Sequence, residues 1–188
     1  MTLTQITTEG IKNGTIVSAD LVTNQDFTIN SVNIGKGANT VLGESALDAS
    51  VSGGSNTAIG NNALTALTSG ARNVAVGNNT LDANTTASFN VAVGGFALTS
   101  NTTGASNVAI GDNALDANTT ANNNTAVGYY SGFALTSGTA NVAVGYGSLQ
   151  TDATGHYNTA IGYQALTQTV SSNNTAVGYI ALTANTTG

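Results

Sequence analysis

The chain has 188 residues, the length of one ordinary domain, and only 6% of them are charged. Three Lys and Arg residues against nine Asp and Glu residues give a net charge of −6, which excludes nucleic-acid binding by counterion release and a polybasic membrane patch. The absence of Cys excludes disulfides, thiolate metal sites and a Cys nucleophile.

The sequence predicts neither a membrane span nor a signal peptide. No apolar run approaches the roughly 18 residues of a spanning helix, and residues 1–10 lack the basic and apolar regions of a secretory leader. Asn, Thr, Ser and Gly are abundant, as in disordered chains. Against disorder stand 40% hydrophobic residues and the complete absence of Pro, which indicate a backbone that is paired throughout.

Residues 1–30 form the first predicted segment. Apolar residues recur in it every five positions, in one series at Val17, Val22 and Phe27. A second series of the same spacing comprises Ile6, Ile11, Ile16 and Leu21. One interpretation is an irregular or β-structured cap that closes the end of a repeat domain, because solenoids need such caps.

Residues 31–188 form the second segment, a repeat domain. The pentapeptide Asn-(Thr or Val)-Ala-(Ile or Val)-Gly recurs at a period of 17, with one final step of 16, and a variant copy at residues 39–43 precedes the others. We expect its glycine to occupy a turn that requires positive φ, and its Asn to hydrogen-bond and stack on the Asn of the next coil. The repeat glycines are Gly43, Gly60, Gly77, Gly94, Gly111, Gly128, Gly145, Gly162 and Gly178.

A period of 17 is too short for a pair of helices. Each unit contains two short apolar patches, the pentapeptide and an Ala-Leu pair such as Ala63 and Leu64. This pattern predicts an all-β chain with two strands per coil, a parallel β-solenoid or β-roll of about nine 17-residue coils.

Strand alternation predicts two faces for the pentapeptide. Val74 and Val76 point to one face, and Asn73, Ala75 and Gly77 point to the other. One face can fill the thin interior of the coil, but the other needs a neighbour. The simplest neighbour is another copy of the chain, related by a cyclic axis along the solenoid.

Tyrosines are confined to the last third of the chain and follow the repeat glycines. The four in this position are Tyr129, Tyr146, Tyr163 and Tyr179. They predict an aromatic ladder on one face. Ladder stacking that stiffens the roll is one interpretation, and a contact site for a receptor or for the sugar rings of a host glycan is the other.

Candidate catalytic residues are few, and we predict that the chain is not an enzyme and has no cofactor or metal site. His156 is the one His, and we expect it to be a solvated turn residue. Asp112 and Asp116 are aspartates only four positions apart in the repeats and could hydrolyse a glycan. The spacing of 34 residues from Asp48 through Asp82 to Asp116 favours a structural interpretation, in which alternate coils separate like charges.

The pentapeptides Asn-Val-Ala-Val-Gly and Asn-Thr-Ala-Ile-Gly, followed by Ala-Leu and Thr-Ser-rich turns, resemble the head repeats of trimeric autotransporter adhesins (the YadA-like head) and, more closely, repeats of tailed-phage fibre proteins. The resemblance covers about residues 31–188. It implies a left-handed parallel β-roll, three chains around a threefold axis, and a role in adhesion. The missing secretion signal favours a virion fibre over the bacterial cell surface.

Residues 9–16, with the sequence Glu-Gly-Ile-Lys-Asn-Gly-Thr-Ile, resemble amino-terminal segments of phage fibre proteins. The resemblance implies that Ile6, Ile11, Ile16 and Leu21 belong to a segment that holds the fibre to tail or capsid proteins. The last four residues repeat residues 101–104, after which another pentapeptide follows. We therefore expect a further coil or a distal domain after residue 188.

The sequence thus predicts the structural subunit of a phage tail fibre, a homotrimeric shaft or head that contributes to adhesion to host surface glycan or protein. A capsid-decorating fibre and a bacterial trimeric adhesin head are alternatives. A glycan depolymerase would need carboxylates clustered at a groove. An ice-binding solenoid would need a Thr row in every coil, whereas the paired threonines from Thr85 to Thr120 align for three coils.

Overall fold

The computed structural model describes residues 35–36, 38–168 and 171–185. Residues 1–30, with the attachment residues Ile6, Ile11, Ile16 and Leu21, lie outside this part. The described residues form ten short strands: β1 Gly35–Lys36, β2 Asn39–Leu42, β3 Thr57–Ile59, β4 Val74–Val76, β5 Val91–Val93, β6 Val108–Ile110, β7 Thr125–Val127, β8 Val142–Val144, β9 Thr159–Ile161 and β10 Thr175–Val177.

The strands form one sheet in chain order. From β2 to β10 each strand pairs in parallel with the next, and equivalent residues of the repeat face each other, as Ala75 faces Ala92. β1 pairs antiparallel with β2, with Gly35 opposite Thr40. The predicted all-β parallel solenoid is confirmed, with about eight complete turns, because nine parallel strands enclose eight intervals.

The prediction of two strands per coil is wrong. Each coil has one strand, and the second apolar patch lies in turns. In the coil after Gly60, the backbone is left-handed at Asn62 (φ 56°), Leu64 (φ 54°) and Arg72 (φ 58°). Repeated reversals of this kind let 17 residues close a small circuit.

A leucine in the left-handed region costs about 1–2 kcal/mol. Leu64 accepts this conformation because its side chain is fully buried in the coil interior, which returns about 1.5–3 kcal/mol. Its N–H donates to the carbonyl of Thr80 in the next coil at 3.1 Å. The turns therefore stack by hydrogen bonds in the same way as the strands.

The interior contains alanine and leucine side chains, the row of repeat asparagines and a second, shorter row of asparagines at Asn84, Asn101 and Asn118. The middle alanines of the strands are buried. They form one apolar cluster with buried leucines from the turns. The repeat asparagines are largely buried too: the amide of Asn107 accepts from the N–H of Asn124 at 2.9 Å and donates to the carbonyl of Ala121 at 2.8 Å. These bonds satisfy polar groups that would otherwise be buried without partners.

The glycine that ends each strand is required by its conformation and by its neighbours. Gly111 has φ of 130°, and a Cβ there would lie 2.6 Å from the backbone of Gly128 in the next coil. All nine repeat glycines have φ between 126° and 140°. The turn role predicted for them is confirmed.

Candidate functional site

The outward side of β3–β10, called here the sheet face, consists of the first and third residues of each strand. Val74 and Val76 are partly exposed, whereas Ala75 between them is buried. The third-residue position is most open at Val177, which is 67% exposed. Every residue of the sheet face is Val, Ile or Thr. The alternation predicted from the sequence is therefore correct, and the described chain leaves this apolar side uncovered.

The row of residues that directly follow the repeat glycines is called here the C-terminal corner. Its tyrosines stack, with ring centroids 5.7 Å apart for Tyr129 and Tyr146, 5.2 Å for Tyr146 and Tyr163, and 5.3 Å for Tyr163 and Tyr179. The interplanar angles are 24°, 9° and 17°. This is the aromatic ladder that the spacing predicts.

The stacking direction limits what the ladder can bind. Because the rings lie face to face along the solenoid, the faces of Tyr146 and Tyr163 are covered by their neighbours. Their edges and hydroxyls are the parts left to solvent. The outermost ring, Tyr179, is 75% exposed.

Earlier coils place polar groups in the same corner. Asn78 donates from Nδ2 to Oδ1 of Asn61 at 3.1 Å. Asp112 accepts with Oδ1 from the N–H of Gly95 at 2.7 Å, and its carboxylate thus lies over the position that lacks a side chain. The corner therefore changes from polar groups, interrupted at Gly95, to a stack of aromatic rings after Asp112.

The opposite corner, called here the N-terminal corner, is the row of residues directly before the repeat asparagines. The guanidinium carbon of Arg72 lies 5.4 Å from the ring centroid of Phe89. Phe89 is 53% exposed and Tyr157 is 64% exposed. The sequence analysis does not predict this corner, because the residues directly before the repeat asparagines share no residue type.

Comparison with known protein families, with curated proteins and with solved structures finds no match to this chain. Among the described residues no helix is long and apolar enough to cross a membrane. The same residues hold no group of three or more His, Asp or Glu side chains that could bind a metal ion.

The carboxylates of the repeats are tied to the solenoid itself. Burial raises the pKa of Asp116, and the charge of Asp82 raises it further. Asp82 in turn accepts a hydrogen bond from the hydroxyl of Thr99 at 2.9 Å. Asp152 is fully buried and accepts from the N–H of Gly155 at 2.7 Å. These contacts resemble those of turn residues more than those of an acid and base pair.

His156 is more firmly held than a solvated turn residue. Its Nδ1 accepts from the backbone N–H of Thr139 at 3.1 Å and lies 3.0 Å from the hydroxyl of the same residue. Two coils earlier, Oδ1 of Asn122 accepts a hydrogen bond from the N–H of Ala105 in the same way. The imidazole therefore serves as a ladder acceptor, and the sequence prediction understated its structural role.

Proposed function

We propose that this protein is the structural subunit of a phage tail fibre, in which three copies form a left-handed β-solenoid shaft or head that contributes to host attachment. The observation that carries the proposal is the uncovered sheet face. Residues 1–30 would hold the fibre to tail or capsid proteins, as their resemblance to fibre amino termini implies. The fibre is a virion component without catalytic activity.

The size of the sheet face supports another copy of the chain as its cover. Six residue steps separate the two corners, about 20 Å, and eight coil steps give a length of about 38 Å. The product is about 760 Å² per copy, which in a trimer is shared between two neighbours, and the total of about 2,300 Å² for three copies is in the range of stable protein assemblies. A surface of Val, Ile and Thr without charges has no other evident role in water.

The width of the sheet face supports three copies. Three faces, each about 20 Å wide, form a triangle in which every sheet lies about 6 Å from the axis. This distance is close to half of the ~10 Å that separates packed sheets. Four faces would leave each sheet about 10 Å from the axis and the centre hollow. Two faces would pack well, but the aromatic side chains of both corners would stay exposed.

The tyrosine ladder supports the function of a shaft. Continuous stacking over four coils resists bending at one corner of each copy. The row of hydroxyls and ring edges from Tyr129 to Tyr179 also offers hydrogen bonds to a host glycan, which is the adhesive contact that we propose for it. Contact with sugar through ring faces is available at Tyr179, since the inner rings cover one another.

Two alternatives share the trimer and differ in location, a capsid-decorating fibre and a bacterial adhesin head. An ice-binding surface is less well supported. The threonines of one turn row use their hydroxyl protons within the solenoid, as Thr85 donates to the carbonyl of Thr102 and Thr102 to that of Thr119. Ordered water would then find acceptors but few donors.

Labelling of intact phage particles with an antibody against the trimer tests the function. We expect the antibody to bind at the tail fibres. Residues 1–30 should lie at the end of the labelled fibre that is nearest the particle. Label confined to the capsid would contradict the tail-fibre proposal and support a capsid-decorating fibre. Label on bacterial cells that carry no phage would contradict the virion assignment.

A further inference from the structure

Cyclic symmetry fixes which parts of the two corners can meet. Viewed along the solenoid axis, the strands of all three copies run in the same rotational sense. The C-terminal corner of one copy therefore approaches the N-terminal corner of the next. Because rotation about the axis does not change height, the residues that meet are those that flank the same strand.

Two of the pairs that meet in this way contain an exposed aromatic ring of the N-terminal corner. Phe89 and Gly95 flank β5, so the exposed ring of one copy faces a position that has no side chain of its own and lies beside the Asp112 carboxylate. Tyr157 and Tyr163 flank β9, so the most exposed aromatic residue of the N-terminal corner faces the tyrosine ladder. A phenyl ring and a phenol ring that are more than half exposed in one copy would both become covered.

We propose that adjacent copies lock corner to corner, with Phe89 seated over Gly95 of the neighbouring copy and Tyr157 packed against its tyrosine ladder at Tyr163. This inference rests on the proposed trimer and adds its register. The lock aligns the copies at equal height, because a shift by one coil would place Phe89 against Asn78 or Asp112. The lock also places Tyr163 in the interface between copies. Contact with a glycan would then involve the other tyrosines of the ladder.

Disulfide trapping at β6 tests the lock. Ser106 and Asp112 flank this strand and are both exposed, and they are about 20 Å apart within one copy, far beyond the roughly 7 Å that a disulfide spans. The chain has no Cys of its own. Under mild oxidation, the double variant Ser106→Cys with Asp112→Cys should give a covalent trimer on a non-reducing gel.

The single variants Ser106→Cys and Asp112→Cys are the matched controls. We expect both to remain uncrosslinked, because identical residues lie about 20 Å apart around the axis. A trimer by mass that fails to crosslink in the double variant would overturn the lock and leave the proposed trimer intact. Crosslinking of a single variant would overturn the lock as well, since it requires identical corners to meet.

Gly95→Leu tests the seat of Phe89 without crosslinking. A Cβ at Gly95 would lie 3.6 Å from Oδ1 of Asp112, an ordinary contact, so the backbone of the coil tolerates a side chain that points away from Asp112. Its collision with Phe89 of the neighbouring copy should weaken association at least about tenfold, measured by dilution in analytical ultracentrifugation. Asn61→Leu, which faces the small Ser55, should leave association unchanged, and equal effects of the two variants would contradict the lock.

Discussion

At the scale of single residues, two opposing demands shape each coil. The repeat glycine relieves the backbone where φ is near 130°, and nothing larger fits between successive coils. Three other reversals per coil are made by residues with side chains, among them the buried leucine. Gly132 and Gly147 take such positions with φ of 59°, which shows that the conformation, and not one residue type, is what the coil requires.

Replacement of a repeat glycine separates backbone strain from steric overlap. Gly111→Ala should destabilise the fold by about 3 kcal/mol or more, because it adds a close contact to an unfavourable φ. Gly178→Ala is the control, since its φ is 133° but its nearest neighbour would be 3.9 Å from the new Cβ. Urea unfolding measures both, and equal losses would show that steric overlap contributes nothing.

Asp116 gives a prediction for pH. Burial and the charge of Asp82 raise its pKa above the ordinary 3.8, so the ionised carboxylate opposes folding. The stability that the protonated form contributes is fully present below pH 3.8 and is lost as the pH rises through the folded pKa. Asp116→Asn should therefore stabilise the protein at pH 7 by under about 1 kcal/mol, since the group is half exposed and screened.

Thermal unfolding at pH 3 and pH 7 measures this difference. The advantage of Asp116→Asn over the unaltered chain should appear at pH 7 and vanish at pH 3. An advantage that is equal at both values would show that the carboxylate charge is not its cause.

At the scale of elements, ladders of equivalent residues add to a thin hydrophobic core of alanine and leucine. The buried asparagines bind from coil to coil, and the tyrosines stack at the corner. A coil gains these contacts only from its neighbours, so stability is a sum over successive coils. Aromatic rungs are confined to the last four coils, which should therefore be the stiffer part of the rod.

Removal of an inner tyrosine tests the ladder. Tyr146→Ala breaks two stacked pairs and should lower the free energy of unfolding by about 1–3 kcal/mol. The matched control is Asn78→Ala, an exposed rung of the same corner, which should change it by less than about 0.5 kcal/mol. Differential scanning calorimetry measures both, and equal effects would mean that aromatic stacking adds nothing to the rod.

The elements that sequence reasoning predicted are those that depend on local pattern. The period, the strand at each pentapeptide and the placement of Ala75 on the face opposite Val74 and Val76 follow from alternation and spacing alone. The second strand was mispredicted because a short apolar patch between turn residues, such as Ala63 and Leu64, is consistent with a buried strand. Leu64 turns left-handed only because the stacked coils provide a buried site for it, which no local pattern reveals.

The candidate site divides in the same way. The tyrosine ladder could be predicted, because 17-residue spacing places equivalent side chains on top of one another. The N-terminal corner could not, since the outward position of Phe89 and Tyr157 depends on a left-handed turn at the residue before each repeat Asn. The ladder role of His156 likewise depends on contact with Thr139 in the preceding coil.

At the scale of the whole molecule, the described residues from 38 to 185 form one stack of coils whose sheet face is uncovered. The interior is closed by alanine, leucine and asparagine, whereas the sheet face presents valine and isoleucine to water. The proposed trimer places these side chains around a common axis and makes a rod from three thin solenoids. The described surface outside the sheet face has few charges and still exposes some apolar side chains, such as Phe96 at 44%.

The mass of the protein in solution tests this account most directly. Light scattering coupled to size-exclusion chromatography should give three times the chain mass of 18.5 kDa, and Val93→Asp, at the centre of the sheet face, should lower it to one chain with the β-sheet circular dichroism retained. A monomeric mass for the unaltered protein would contradict the account.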